Sequence, residues 1–147
     1  MPRLGRHLIG ELFDCAPDIL NDLEALRSIL LAMAWSAQAT IVGSTCYQIS
    51  PVGLRGVVVM RQARLSLHTW PEHRYAAVDL VARDEALRLD GALEFVIGAL
   101  AAGRVSVLEM HRAVFPAALA AGAMAEVGSA PAAHQDGRAT GQAAVLG

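Results

Sequence analysis

The residues with the clearest chemical potential lie in one short corner, His68-Thr69-Trp70-Pro71-Glu72. An imidazole can accept or donate a proton near neutral pH, and a carboxylate offers two acceptor oxygens that suit a diol. The structural alternatives are a strand histidine kept for packing and an exposed turn glutamate. His68 and Glu72 are therefore candidate ligand-contacting groups of a small-molecule pocket.

Other polar pairs along the chain offer weaker chemistry. Ser66 lies two residues before His68, and alternating strand side chains would put both on one face, so a Ser66-His68 pair is conceivable. Two further pairs could be imagined as metal ligands, but their spacings match no ligand-cluster pattern, so we expect no metal site. These pairs are His7 with Glu11 and Glu109 with His111.

Strand-like runs surround the corner and must position it. Val57, Val58 and Val59 form a β-branched run that is typical of a buried strand, and Pro71 ends the next run because it has no N–H to donate. Apolar residues at helical spacing predict helices over residues 18–37 and 92–100, with a polar loop at 84–90. The predicted strands cover residues 6–13, 39–49, 57–59, 64–68, 75–80 and 104–110.

The predicted order of elements is β-α-β-β-β-β-α-β. This order favours an α/β (α+β) fold, a two-layer sandwich of a mostly antiparallel sheet with two helices on one face. Residues 116–147 differ in composition, with 12 Ala and 5 Gly among 32 residues and few large apolar groups. We therefore predict one domain over residues 1–115, followed by a disordered tail over residues 116–147.

Whole-chain composition excludes several classes of protein. With 147 residues, 54% of them hydrophobic and 18% charged, the chain fits one compact domain. A net charge of -2 without a basic run argues against nucleic-acid binding. No apolar run suggests a signal peptide or a membrane span, so we expect a cytoplasmic protein. Cys15 and Cys46 are too few for a disulfide framework and are expected to be small buried hydrophobes.

Three motifs place the chain near a known family. GVVV at residues 56–59, HTWPE at 68–72 and YAA-DL at 75–80 resemble the central segment of bacterial and archaeal S-adenosylmethionine decarboxylases, pyruvoyl enzymes of polyamine (spermidine) biosynthesis. LGRHLIGELFDC at 4–15 and ATIV-ST at 39–45 extend the resemblance to about residues 4–112. The resemblance implies an S-adenosylmethionine decarboxylase-like domain that forms a two-fold dimer.

The chain differs from this family at positions to which the family's chemistry is assigned. Family members form their pyruvoyl group by cutting the backbone before a serine, in a Glu-Ser pair that is Gln62-Ala63 here. Ala63 has no oxygen to attack the preceding carbonyl, so we expect no pyruvoyl cofactor. Arg55 replaces a serine that assists processing, Arg83 replaces the proton-donating cysteine, and Ile49 replaces a phenylalanine that stacks on adenine.

Other family positions are retained. By resemblance, His68 matches the histidine that promotes pyruvoyl formation, Glu72 matches a carboxylate that holds ribose hydroxyls, and Leu65 joins Glu72 and Ile49 as substrate-binding positions. Cleavage before Ser66 is disfavoured because the family commonly has a hydroxyl residue there and because self-cleavage needs a strained turn.

Four arginines affect which kind of ligand we expect the pocket to bind. Arg55, Arg61, Arg64 and Arg83 would make a pocket that prefers an anion over the sulfonium cation of S-adenosylmethionine (AdoMet). The alternative is that Arg61 and Arg64 are solvated.

Three hypotheses follow. The leading one is a non-processing pseudoenzyme or regulatory partner, as a homodimer or a heterodimer with a complete family homologue. The second is a repurposed, pyruvoyl-independent enzyme acting on an AdoMet-, nucleoside- or carboxylate-type small molecule. The third, that Ala63 was introduced to trap a precursor, leaves Gln62, Arg55 and Arg83 unexplained.

Overall fold

The computed structural model describes residues 5–49, 51–83 and 86–112. The predicted tail and the predicted domain boundary after residue 115 lie outside these ranges. Six strands form one sheet in the order β2-β3-β4-β5-β1-β6, and every neighbouring pair is antiparallel. The strands are β1 (Gly5–Phe13), β2 (Ile41–Gln48), β3 (Leu54–Met60), β4 (Ala63–Trp70), β5 (Tyr75–Ala82) and β6 (Arg104–Arg112).

Two helices cover one face of this sheet, α1 (Leu23–Ser36) and α2 (Leu89–Ala99). Alternate strand residues are buried beneath them in a single hydrophobic core. Examples are Leu65 and Leu67 of β4, which are 0% and 1% exposed. The predicted order of elements and the two-layer α+β sandwich are therefore confirmed. In the described ranges, neither helix has the length and apolar character needed to cross a membrane.

The two helices begin at residues other than the predicted ones. α1 begins at Leu23 rather than near residue 18, because the Asp22 side chain accepts a 3.1 Å hydrogen bond from the Ala25 N–H and caps the helix there. Residues Ile19–Asn21 form a separate 3-10 turn. α2 begins at Leu89, inside the segment predicted as a polar loop, because Leu89 is fully buried in the core.

α1 lies close to the sheet where Gly56 begins the GVVV run. A Cβ atom built on Gly56 would overlap Leu30 Cδ1 and would lie 3.0 Å from Cys46 Sγ. Both neighbours belong to the layer between helix and sheet, so the absence of a side chain at position 56 permits this close approach.

The buried hydroxyl of Thr69 fixes the end of β4. It donates a 2.7 Å hydrogen bond to the Leu20 carbonyl and accepts one from the Leu54 N–H at 2.9 Å. Thr69 thereby ties β4 to the first residue of β3 and to the 3-10 turn before α1. Its neighbours His68 and Trp70 point to the opposite face of the sheet, where the candidate site lies.

Candidate functional site

The sheet face that points away from the helices, here called the outer face, carries the candidate site. Strand alternation places there every second residue of each strand, and these residues are half-buried or exposed. Its members in the central strands are His7, Ile9, Glu11, Phe13, Arg55, Val57, Val59, Arg64, Ser66, His68, Trp70, Tyr75, Ala77, Asp79 and Val81.

His68 lies on this face between Arg55 and Trp70. Arg55 is its register partner on β3, and the Arg55 Nη2 atom lies 3.5 Å from His68 Nδ1, at the upper limit for a hydrogen bond. The His68 and Trp70 rings stack with centroids 3.8 Å apart. Within the described ranges, the buried Nε atom of Arg55 has no hydrogen-bond partner. The ring is therefore held by a stack on one side and faces a cation on the other.

Burial lowers the pKa of the His68 imidazole, and the nearby Arg55 guanidinium lowers it further. Both effects disfavour the imidazolium ion, so the ring is neutral at neutral pH. A neutral ring can accept a hydrogen bond from Arg55 at Nδ1 and present its other nitrogen to a ligand. The arrangement suits a hydrogen-bonding group or a weak base.

Glu72 and Ile49 lie at the same end of the sheet as His68. Glu72 belongs to a 3-10 turn, Pro71–His73, and its side chain is exposed, as the structural alternative expects. Ile49 follows β2, is half-buried, and donates its N–H to the Gly53 carbonyl at 2.8 Å.

Ala63 lies at the opposite end of the sheet, together with Gln62 and Arg83. Its side chain packs against the core rather than on the outer face, so it has the opposite parity to Ser66 and His68. Ala63 and His68 are five positions apart along β4, a distance of about 16 Å. Within one chain, the positions matched to the family's cleavage serine and to its processing histidine are therefore far apart.

The side chain of Leu65 is fully buried against the helices. It cannot reach a ligand on the outer face, because strand alternation sends residue 65 to the other side of the sheet from Ser66. A ligand contact at this position would have to come from its main chain.

The four arginines do not gather into one pocket. Only Arg55 is half-buried beside His68, whereas Arg61, Arg64 and Arg83 are exposed. Arg61 lies in the turn between β3 and β4, at the end away from His68. Within this chain the four arginines therefore do not line one pocket, and the exposure of Arg61 and Arg64 agrees with the solvated alternative.

The other polar pairs have structural partners. His7 Nε2 lies 3.3 Å from Asp79 Oδ1, and Glu11 accepts a 3.1 Å hydrogen bond from the Tyr75 hydroxyl. Arg6 donates to Glu109 at 2.6 Å, and His111 Nε2 also lies 3.3 Å from Glu109. Across residues 5–49, 51–83 and 86–112, no group of three or more such side chains could hold a metal ion.

The cysteines are protected thiols. Cys15 is fully buried, and Cys46 is half-buried at the helix–sheet interface. Burial raises the pKa of both thiols, so neither has the character of a reactive thiolate.

Sequence patterns missed a row of aromatic rings beside His68. The Trp70 and Tyr75 ring centroids lie 5.3 Å apart, and those of Tyr75 and Phe13 lie 5.2 Å apart. The sequence places Trp70 and Tyr75 on either side of a turn, but Phe13 is distant in the chain. Only the pairing of β1 with β5 brings it to the row.

Comparison with known proteins agrees with this fold. The family model for S-adenosylmethionine decarboxylase matches residues 6–113. The S-adenosylmethionine decarboxylase proenzyme of Thermodesulfovibrio yellowstonii is 40% identical over 114 residues, which are 78% of this chain and 84% of that protein. The proenzyme of Acidithiobacillus ferrooxidans is 35% identical over 76% of this chain and 84% of its own length.

Solved structures give the same result. The adenosylmethionine decarboxylase of Aquifex aeolicus VF5 has a TM-score of 0.73 and 29% identity, over 80% of this chain and 97% of that chain. A decarboxylase monomer from Trypanosoma brucei has a TM-score of 0.53 over 71% of this chain and 45% of that chain. At 14% identity, this second likeness shows the fold alone.

Proposed function

This chain belongs to the S-adenosylmethionine decarboxylase family, and from that membership we propose that it is a member that does not process itself and acts as a regulatory partner. One observation carries the proposal: residue 63, the position of the family's cleavage serine, is alanine. A methyl group can neither attack the Gln62 carbonyl nor leave as a hydroxyl, so this position cannot yield a pyruvoyl group.

The outer face supports a paired assembly. Strands β2, β3 and β6 expose large apolar side chains on this face that a single chain leaves in water, which favours contact with a second sheet. These are Tyr47, Val59, Leu108 and Met110. A two-fold arrangement of two outer faces is the simplest closed solution. With strands running in opposite directions, it would set the Ala63 end of one copy over the His68 end of the other.

The test of this function compares the chain alone with the chain mixed with a complete homologue, such as the Thermodesulfovibrio yellowstonii relative. We expect no release of labelled CO₂ from carboxyl-labelled AdoMet by the chain alone, and a changed rate for the homologue after mixing. Light scattering should give about twice the 15.5 kDa chain mass for the chain alone. A monomer that leaves the homologue's rate unchanged would remove the regulatory proposal.

A second candidate function is that of an enzyme that uses the pocket beside His68 for a reaction that needs no pyruvoyl group. The observation that favours it is the neutral His68 ring, half-buried and stacked on Trp70, which is poised as an acceptor or base. Under this candidate, a small nucleoside- or carboxylate-type ligand should shift the His68 ring resonances in an NMR titration. A His68→Gln variant should then lose turnover while keeping its fold.

A further inference from the structure

Phe13, Trp70 and Tyr75 line an open recess at one end of the outer face. Its volume is about 340 Å³, and Glu11 and His73 complete its lining. Phe13 and Trp70 are the last residues of their strands, and Tyr75 is the first of its strand. The recess therefore lies at the sheet end, where it can stay open to solvent even if the middle of the face is covered.

We propose that this recess, here called the aromatic cage, binds a small methylated ammonium ion. The ring centroids of Phe13 and Trp70 each lie within 5.3 Å of the Tyr75 ring centroid. The π-face of an aromatic ring carries partial negative charge that attracts a cation. The Glu11 carboxylate adds a full negative charge at the rim. A methylated ammonium ion matches both features, because its methyl groups pack on rings while its charge is paired with a carboxylate.

Tyr75 orients the carboxylate. Its hydroxyl donates a 3.1 Å hydrogen bond to Glu11 Oε1. Burial raises the pKa of Tyr75 to about 12, and the hydrogen bond to Glu11 contributes to this rise. The phenol therefore stays protonated at neutral pH, so it keeps donating to Glu11 and adds no second negative charge.

Arg104 already places a cation on one of these rings. Its guanidinium carbon lies 4.6 Å from the centroid of Phe13, although the Arg104 side chain is exposed and could extend into water. This contact is the kind of interaction that the cage would offer a ligand. It also makes Arg104 a competitor, so its removal should strengthen ligand binding.

Arg74 follows His73 in the chain but is not among the residues that line the cage. Arg74 donates its Nε–H to the Cys15 carbonyl at 2.9 Å. His73 lines the recess from the exposed turn. Glu11 is thus the carboxylate that lines the recess itself.

The inference does not depend on the proposed function. Cation binding would use none of Ala63, Arg55 or Glu72, and its failure would leave the absence of self-processing untouched. The candidate site at His68 and the aromatic cage share one residue, Trp70. Its ring contacts the His68 ring and the Tyr75 ring. A ligand in the cage would therefore be reported by Trp70 itself.

The test uses Trp70 fluorescence. The chain has two tryptophans, and Trp35 is 69% exposed on α1, so a Trp35→Phe background leaves Trp70 as the single reporter. Choline chloride is titrated at constant ionic strength, and 3,3-dimethylbutan-1-ol serves as its uncharged isostere. We expect a saturable change with choline and affinity at least about 10-fold weaker for the alcohol, since the alcohol lacks the charge.

Matched variants separate the cage from general charge effects. Glu11→Gln should weaken choline binding by about 3- to 10-fold, and Arg104→Gln should strengthen it by about 2- to 5-fold. Glu24→Gln, which removes the same charge from the exposed face of α1, should leave affinity unchanged. Circular dichroism and urea unfolding of each variant establish that it is folded.

Three outcomes would overturn the proposal. The first is an equal response to choline and to the alcohol, and the second is equal behaviour of Glu11→Gln and Glu24→Gln. The third is the absence of a saturable change in the folded protein, which includes the case in which a second copy fills the recess. Light scattering on the same sample identifies that last case.

Discussion

The main-chain carbonyl of Gln62 accepts a 2.9 Å hydrogen bond from the main-chain N–H of Arg83. This carbonyl is the one that a nucleophile at position 63 would attack, and Arg83 is the residue that the sequence resemblance matches to the family's proton-donating cysteine. The hydrogen bond holds these two positions together although they are 21 positions apart in the chain. The hydrogen bond therefore places Arg83 beside the peptide bond that links Gln62 to Ala63.

The first prediction is an uncut chain. Denaturing mass spectrometry should find one polypeptide of 15.5 kDa and no terminus that reacts with carbonyl reagents, because Ala63 cannot start an N-to-O acyl shift. A pair of fragments that join at Gln62 or at Leu65 would contradict this.

The same measurement applies to an Ala63→Ser variant, which we expect to stay uncut. Arg55 and Arg83 still occupy family positions, and a hydroxyl alone does not supply the groups that promote the reaction. The matched comparison restores all four positions together, as Gln62→Glu, Ala63→Ser, Arg55→Ser and Arg83→Cys. Efficient cleavage of the single variant would mean that the two arginines do not impede processing.

The second prediction is weak binding of AdoMet. Ile49 cannot stack on adenine, and Arg55 places a cation on the outer face beside His68. At an effective dielectric constant of about 20, two cations about 6 Å apart repel by about 2 to 3 kcal/mol, and solvent on this half-buried face reduces that value.

Calorimetry should therefore find that Arg55→Ser binds AdoMet about 10-fold more tightly than the unmodified chain. Arg61→Ser removes the same charge from the far end of the sheet and should change little. Micromolar AdoMet affinity in the unmodified chain, or equal gains in both variants, would show that Arg55 does not face the ligand.

The third prediction concerns pH. The folded state holds His68 neutral, since its pKa is lowered from the ordinary value of 6.5 by burial and then by Arg55. The unfolded chain takes up this proton first as the pH falls, so His68 lowers the free energy of unfolding below about pH 6.5 and contributes no pH dependence above it.

Urea unfolding between pH 5 and 7.5 measures this effect as the difference between the unmodified chain and a His68→Gln variant. That difference should change with pH only below about 6.5. In an NMR titration, Arg55→Ser should raise the His68 pKa toward its ordinary value. The rise should be less than half of the total lowering, because burial is the larger cause. An unchanged pKa in this variant would remove Arg55 as a cause.

The fourth prediction concerns stability. Gly56→Ala would drive a methyl group into Leu30 and Cys46, and overpacking of this kind costs about 1 to 3 kcal/mol. Gly43→Ala on the adjacent strand is the control, because a Cβ there meets nothing within 4 Å. Both values come from urea unfolding at neutral pH. Equal unfolding free energies for the two variants would show that α1 can move away from β3.

The amino-acid sequence was sufficient for the family and for the order of elements. These depend on local information: β-branched runs, helical spacing and the short motifs GVVV, HTWPE and YAA-DL. The proposal that no pyruvoyl group forms at position 63 likewise rests on a local fact, the identity of Ala63. The helix starts were less predictable, because a cap at Asp22 and the burial of Leu89 set them.

Only the tertiary structure decided which side chains meet. The register of β3 on β4 brings Arg55 to His68, and the pairing of β1 with β5 brings Phe13 and Glu11 to Tyr75. The turn after β5 keeps Arg83 at the far end of the sheet, about 20 Å of strand away from His68. Strand pairing brings together residues that are distant in the chain. The apolar pattern within one strand predicts which side chains face the core, but it does not predict which strand pairs with it.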